Sequence, residues 1–235
     1  MTNPQPRLLI IETSDRTGRV AITEGPALLQ VRTLSEPRRQ ARDLAPAVAE
    51  LLSAQGWVPK DVGAVVVSRG PGSYTGLRVG IMSAKTFAFA TGCRLLGIDT
   101  FAAIAAQAPA DCNRLDVLAD AQQDKVYCQP FVRLESRWTP AGPLEVCPFS
   151  DWLQRREPTA SVTGPGIEKW DERIPAEVTR LPHETRHPMP ASLLQLALDR
   201  LSMGEYDDPL SLEPLYLRPS AAEQQWHGRS TRAAK

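Results

Sequence analysis

Ser68-Arg69-Gly70-Pro71-Gly72-Ser73-Tyr74-Thr75-Gly76-Leu77-Arg78-Val79-Gly80 is the stretch on which the reading of this chain turns. Ahead of it, Ala64-Val65-Val66-Val67 is a β-branched run with the composition of a buried strand. Behind it, residues 77–91 are too long and too alanine-rich for a strand, and Gly92 stands where a helix C-cap glycine belongs. The stretch therefore reads as a strand, a tight glycine loop and a helix N-terminus. Pro71 stiffens the turn between Gly70 and Gly72, and Ser73 or Thr75 is placed to cap the helix. Free backbone amides at such a junction suit an anion or a closely approaching backbone. A purely structural turn is the plain alternative.

Two familiar phosphate loops are excluded by counting. The Walker pattern requires Gly-Lys-Ser/Thr after four intervening residues, and the nearest lysine, Lys85, lies well inside the helix. The dinucleotide fingerprint requires Gly-x-Gly-x-x-Gly, whereas Gly70, Gly72 and Gly76 contain one residue too many.

The 235 residues suffice for one large domain or two small ones. The 27 basic and 27 acidic residues cancel, so the chain lacks the basic excess of a stand-alone nucleic-acid binder. Cys93, Cys112, Cys128 and Cys147 form no C-x-x-C pair, which argues against zinc or redox chemistry and for scattered thiols in a reducing compartment. Leu8-Leu9-Ile10-Ile11 is too short for a signal or a membrane span, so a cytoplasmic protein without a membrane role is expected.

In chain order, residues 7–11, 19–23 and 28–34 read as strands joined by a polar turn at Glu12-Thr13-Ser14-Asp15-Arg16-Thr17-Gly18 and by Gly25-Pro26. Residues 37–54 form a helix that Pro46, lying inside it, should kink. A strand at 63–68 enters the glycine loop, a strand at 94–98 follows its helix, and Asp99 or Thr100 caps a small helix through Gln107. Ala108-Pro109-Ala110-Asp111 is the candidate boundary, giving domains at 1–108 and 109–219 and a disordered tail at 220–235; the last helix is free to pack back on the first domain. The second half echoes the first. A strand at 115–119 ends in Asp120, a returning strand spans 126–134, and residues 160–163 lead into Gly164-Pro165-Gly166. Residues 151–157 form a short helix, 171–190 are proline-rich and irregular, and 192–203 carry an amphipathic helix.

With these residues in hand, Arg69-Gly70-Pro71-Gly72-Ser73-Tyr74-Thr75-Gly76-Leu77-Arg78-Val79-Gly80 closely resembles the signature of the TsaB (YeaZ) family. Ile10-Ile11-Glu12-Thr13-Ser14, Leu96-Gly97-Ile98-Asp99-Thr100, Ala119-Asp120-Ala121 with Val126-Tyr127, and Glu213-Pro214-Leu215-Tyr216-Leu217-Arg218 agree in the same order. The resemblance implies an α/β fold of two actin-like (RNase H-like, sugar kinase/Hsp70 superfamily) domains, with mixed sheets flanked by helices. It implies a non-catalytic scaffold or activator that pairs with TsaD, a TsaE-like ATPase binding the pair, in N6-threonylcarbamoyl modification of the adenosine beside the anticodon of ANN-decoding tRNAs. Contact with tRNA is then indirect, and a homodimer is expected in isolation. The alternative is an actin-like-fold ATP-dependent enzyme or a glycoprotease-like peptidase.

Residue types bear on that choice. TsaD-like subunits carry an H-x-x-x-H metal pair on a first-domain helix, where this chain has Arg38-Arg39-Gln40-Ala41-Arg42-Asp43. His183 and His187 do have that spacing, but they lie in the other half among Pro182, Pro188 and Pro190, so no metal site is expected. Related kinases place acidic residues in both hairpins. Here Glu12, Thr13, Ser14, Asp120, Gly164 and Gly166 are the candidates for a weak nucleotide site, and no cofactor beyond that is expected. Finally, a wheel of about 100° per residue puts Leu77, Ile81, Ala84 and Ala88 on one face of the central helix and Met82 and Phe89 on another, with Arg78 and Lys85 between. A second apolar face predicts a second burial partner, either the helix at 37–54 or another subunit. Arg78, Met82, Lys85 and Phe89 are thus the expected partner interface.

Overall fold

Leu8-Leu9-Ile10-Ile11 is apolar at every position, and a strand that is apolar at every position must be covered on both faces. The computed structural model, which describes residues 5–34 and 40–217, places this run at the centre of a five-stranded sheet. Its strands are β1 (Arg7–Glu12), β2 (Arg19–Glu24), β3 (Ala27–Thr33), β4 (Ala64–Gly70) and β5 (Arg94–Asp99), in the order β3-β2-β1-β4-β5. The β1–β2–β3 meander is antiparallel, whereas β4 and β5 join β1 in parallel. The helices between them are α1 (Gln40–Ala54), α2 (Tyr74–Thr91) and α3 (Thr100–Ala105).

The second sheet repeats the first meander and its parallel neighbour. It comprises β6 (Arg114–Asp120), β7 (Lys125–Leu134), β8 (Arg137–Pro140), β9 (Glu145–Pro148) and β10 (Ser161–Thr163). The order β10-β6-β7-β8 has β10 parallel to β6 and β6–β7–β8 antiparallel, as β4 stands to β1, β2 and β3. Strand β9 pairs with β7 off this path. Helices α4 (Phe149–Arg155) and α5 (Ile167–Trp170) cover this sheet, with Phe149 stacked on Trp170 at 4.5 Å. The last helix, α6 (Pro190–Ser202), returns to the first sheet. The architecture is α/β, two mixed sheets flanked by helices, as the actin-like resemblance implies.

The two faces of β1 explain the helix arrangement. Leu9 and Ile11, with Val65 and Val67, pack against Leu44 and Leu51 of α1 and Ile81, Ala84 and Ala88 of α2. Leu8, Ile10, Val66 and Leu96 face Ala103 of α3 and Leu193, Leu194 and Ala197 of α6.

Several elements differ from the sequence reading. Helix α2 begins at Tyr74 rather than Leu77, because Ser73 caps it: the Ser73 hydroxyl accepts from the Gly76 amide. Helix α3 stops at Ala105 rather than Gln107, where the approach to Pro109 disfavours further helix. Strands β8 and β9 escaped prediction: each has only four residues and ends in a proline. The irregular 171–190 segment contains two 3-10 turns, and Ile174, Val178 and Leu181 are buried. Its shape is held by Arg180, whose guanidinium donates to the carbonyls of Asp171, Ile174, Pro175 and Val178. The expected helix start at Pro37 and the tail at 220–235 lie outside the described residues. Among the described residues no helix is long and apolar enough to cross a membrane.

Candidate functional site

Strand β4 delivers the glycine corner directly onto the β1–β2 turn. The Ser73 amide donates to the Ser14 carbonyl at 2.7 Å, and a Cβ at Gly72 would stand 2.4 Å from that same oxygen. About two helical turns on, a Cβ at Gly80 would stand 2.1 Å from Thr13 Oγ1, whose hydroxyl donates to the Gly76 carbonyl at 2.8 Å. Gly70, at φ +114° before a cis peptide to Pro71, donates its amide to Thr100 Oγ1 at 3.2 Å. Arg69 pairs with Asp99, and its carbonyl accepts the Leu215 amide at 2.8 Å. The amides of Gly70, Ser73 and Gly76 are therefore bonded to the chain itself. Of the two uses open to such a corner, the close backbone neighbour is the one observed.

An open cleft of about 1160 Å³ runs between the two domains. Ser14, Asp15, Ser73 and Tyr74 line it from the first side, and Asp120, Gln122, Lys169 and His187 from the second. The nucleotide candidates are only partly gathered there. Ser14 and Asp120 line the cleft, whereas Glu12 and Thr13 are fully buried beneath the turn. Asp120 accepts from the Gln122 amide and from Lys169 Nζ, both at 2.7 Å. Gly164 and Gly166 lie against β6: a Cβ at Gly164 would stand 2.2 Å from the Leu118 carbonyl oxygen, which accepts the Gly166 amide at 2.9 Å. Both Gly-Pro-Gly loops thus pack on the leading strand or turn of their own sheet.

Two ionisable clusters carry shifted groups. Burial raises the Glu12 carboxyl to about 7, outweighing the hydrogen bonds from Ser14 and Ser68 that favour its charge. Its Oε1 accepts from the Ser14 amide and hydroxyl, both at 2.6 Å. The second cluster was not legible by spacing. His187 Nδ1 stands 2.9 Å from Asp15 Oδ2, and its Nε2 stands 3.1 Å from Glu168 Oε1. The bond to Asp15 raises the His187 pKa against the effect of burial. Burial alone would raise Asp15, but the bond and charge of His187 hold it below the usual carboxylate range. The H-x-x-x-H spacing was visible in sequence; that 172 residues separate Asp15 from its partner was not.

On the outer surface, α2 buries Leu77, Ile81, Ala84 and Ala88 and leaves Met82 65% and Phe89 89% exposed. Helix α1 packs beside α2 without covering either. Arg78 lies over the Tyr74 ring at 4.7 Å, and Tyr74 stacks on Tyr216 at 4.8 Å. Lys85 is engaged internally, donating to the Leu212 carbonyl at 3.0 Å.

Comparison with known proteins bears on this arrangement. Residues 36–226 match the family model described as TsaD: tRNA N6-adenosine threonylcarbamoyltransferase. The tRNA threonylcarbamoyladenosine biosynthesis protein TsaB of Bacillus subtilis is 26% identical over 93% of this chain and 97% of its own length. The protein of the same name from Escherichia coli is 26% identical over 95% of this chain and 99% of its own. The solved structure of YeaZ from Pseudomonas aeruginosa superposes with a TM-score of 0.77 at 28% identity, covering 90% of this chain and all of that one.

Proposed function

The chain belongs to the TsaB (YeaZ) branch of the TsaD-like family, and from that premise we propose that it is the non-catalytic subunit that pairs with a TsaD-like transferase through the outer face of α2. It takes part in tRNA threonylcarbamoyladenosine biosynthesis. The pairing rests on one observation: Met82 and Phe89, two turns apart on one helix, stay exposed after every neighbouring helix has packed. A helix in a two-domain protein needs only one apolar face, and large exposed apolar side chains in register mark a contact surface. Arg78 borders the stripe and suits a polar rim, whereas Lys85 is engaged with the C-terminal segment.

The scaffold role is supported by the residues at 38–43, which include no histidine where a TsaD-like subunit carries its metal pair. In this reading the adenosine chemistry belongs to the partner, a TsaE-like ATPase joins the pair, and tRNA is reached through the assembly. A homodimer on the same face is the form in isolation, and a cytoplasmic location goes with the role.

Met82→Glu tests the pairing. The variant is expected to keep the wild-type circular dichroism and melting midpoint while binding the TsaD-like subunit at least about 10-fold more weakly. Undiminished co-elution of a folded Met82→Glu/Phe89→Glu variant would sink the proposal. The competing reading, an actin-like-fold enzyme, draws on the open cleft, where Asp120 and Lys169 face Ser14 and Asp15. Turnover of ATP by the purified chain alone would favour it.

A further inference from the structure

His183 and His187 sit on no regular helix: a 3-10 turn, His183–Thr185, carries the first and leads to the second. Glu168 of α5 faces both. Its Oε1 is 3.6 Å from His183 Nε2 and 3.1 Å from His187 Nε2, and one ligand atom from each of the three lies within 4.8 Å of the others. Three donors held at about 2.0–2.1 Å around one tetrahedral ion stand about 3.3 Å apart. Two of the three edges are thus close to that length. The third closes by rotation of His183, whose side chain is 71% exposed and free to turn. Behind His187, Asp15 reaches across from the β1–β2 turn to Nδ1. A carboxylate on the far nitrogen fixes ring orientation and leaves the near nitrogen to coordinate.

We infer that Glu168, His183 and His187 form a site for a divalent zinc-like ion, with Asp15 as the positioning residue that holds His187 from the opposite domain. Two imidazoles and one carboxylate suit zinc and its neighbours, while calcium and magnesium take all-oxygen sets. Three protein ligands leave a fourth position open to water or to a group lodged in the cleft. Because Asp15 belongs to the first domain and the ligands follow β10 of the second, an ion here fastens the two sides of the cleft together.

The test is calorimetric titration of Zn²⁺ into the full-length, EDTA-treated protein, with Co²⁺ absorption as a second readout. One ion per chain is expected. His183→Ala and Glu168→Gln should each weaken binding at least about 10-fold, and Asp15→Asn by about 10- to 100-fold. Loss of His183 from so exposed a position should leave the metal-free melting midpoint unchanged, separating lost coordination from lost fold. His227→Ala, a tail histidine, should bind as the parent does. Absence of stoichiometric binding by the parent overturns the inference. So does undiminished binding by folded His183→Ala and Glu168→Gln variants, because the ion would then sit elsewhere, for instance on Cys128, Glu145 and Cys147.

Discussion

Glu12 shows how one residue can carry a cost within a well-formed turn. The folded carboxyl holds its proton up to about pH 7, whereas the ordinary value is 4.5. Between these values the native state binds more protons than the unfolded chain, so stability falls as pH rises through that window. The full effect is about 3 kcal/mol. Glu12→Gln keeps an acceptor for the Ser14 amide and hydroxyl without the ionisation, so its denaturant midpoint should lose most of this decline between pH 5 and pH 7. An unchanged pH slope would show that the group stays ionised in the fold. The same scale holds the tightest packing. Gly80→Ala would drive a methyl group into Thr13 Oγ1, and a loss of about 1–3 kcal/mol is expected in urea unfolding. The Gly92 C-cap was legible in sequence because it acts on its own helix end, and Ser73 was one of two N-cap candidates beside Thr75. The Asp15–His187–Glu168 cluster was not, because no local rule joins residues from opposite domains.

At the scale of elements, α2 is where sequence pattern and structure correspond most closely. The wheel separates the buried face of Leu77, Ile81, Ala84 and Ala88 from Met82 and Phe89, and these two alternatives correspond to sheet and solvent in the fold. What the wheel left open was whether α1 would cover the second face, because helix crossing depends on tertiary packing that periodicity does not carry. Lys85 illustrates the same limit: its partner is a carbonyl more than a hundred residues away. The short strands β8 and β9 were hidden for another reason, since four residues give too few alternations to read. Ser73→Ala should cost about 1 kcal/mol, measured by thermal unfolding, through loss of the cap at the N-terminus of α2.

Across the whole molecule, the echo of Gly70-Pro71-Gly72 in Gly164-Pro165-Gly166 corresponds to a repeated sheet order, β3-β2-β1-β4 beside β8-β7-β6-β10. The repeated hairpin and glycine loop were legible because both are local, whereas the strand order and β8 were not. The final segment was less so. Its Asp207 accepts from the Gly97 amide at 2.7 Å, Leu212 enters the core beside α2, and the Leu215 amide closes on Arg69. This strap braces the corner that aims α2, so Leu212→Ala should lower stability by about 2–4 kcal/mol in a denaturant titration. In the proposed pairing, α2 is aimed at a partner that performs the chemistry. The most direct measurement is threonylcarbamoyl transfer to an ANN-decoding tRNA in a reconstituted reaction supplied with threonylcarbamoyl-adenylate, a TsaD-like subunit and a TsaE-like ATPase. Transfer is predicted only when this chain and the TsaD-like subunit are both present, and it should be lost with Met82→Glu; transfer by this chain without the TsaD-like subunit, or full transfer with the folded variant, would contradict it.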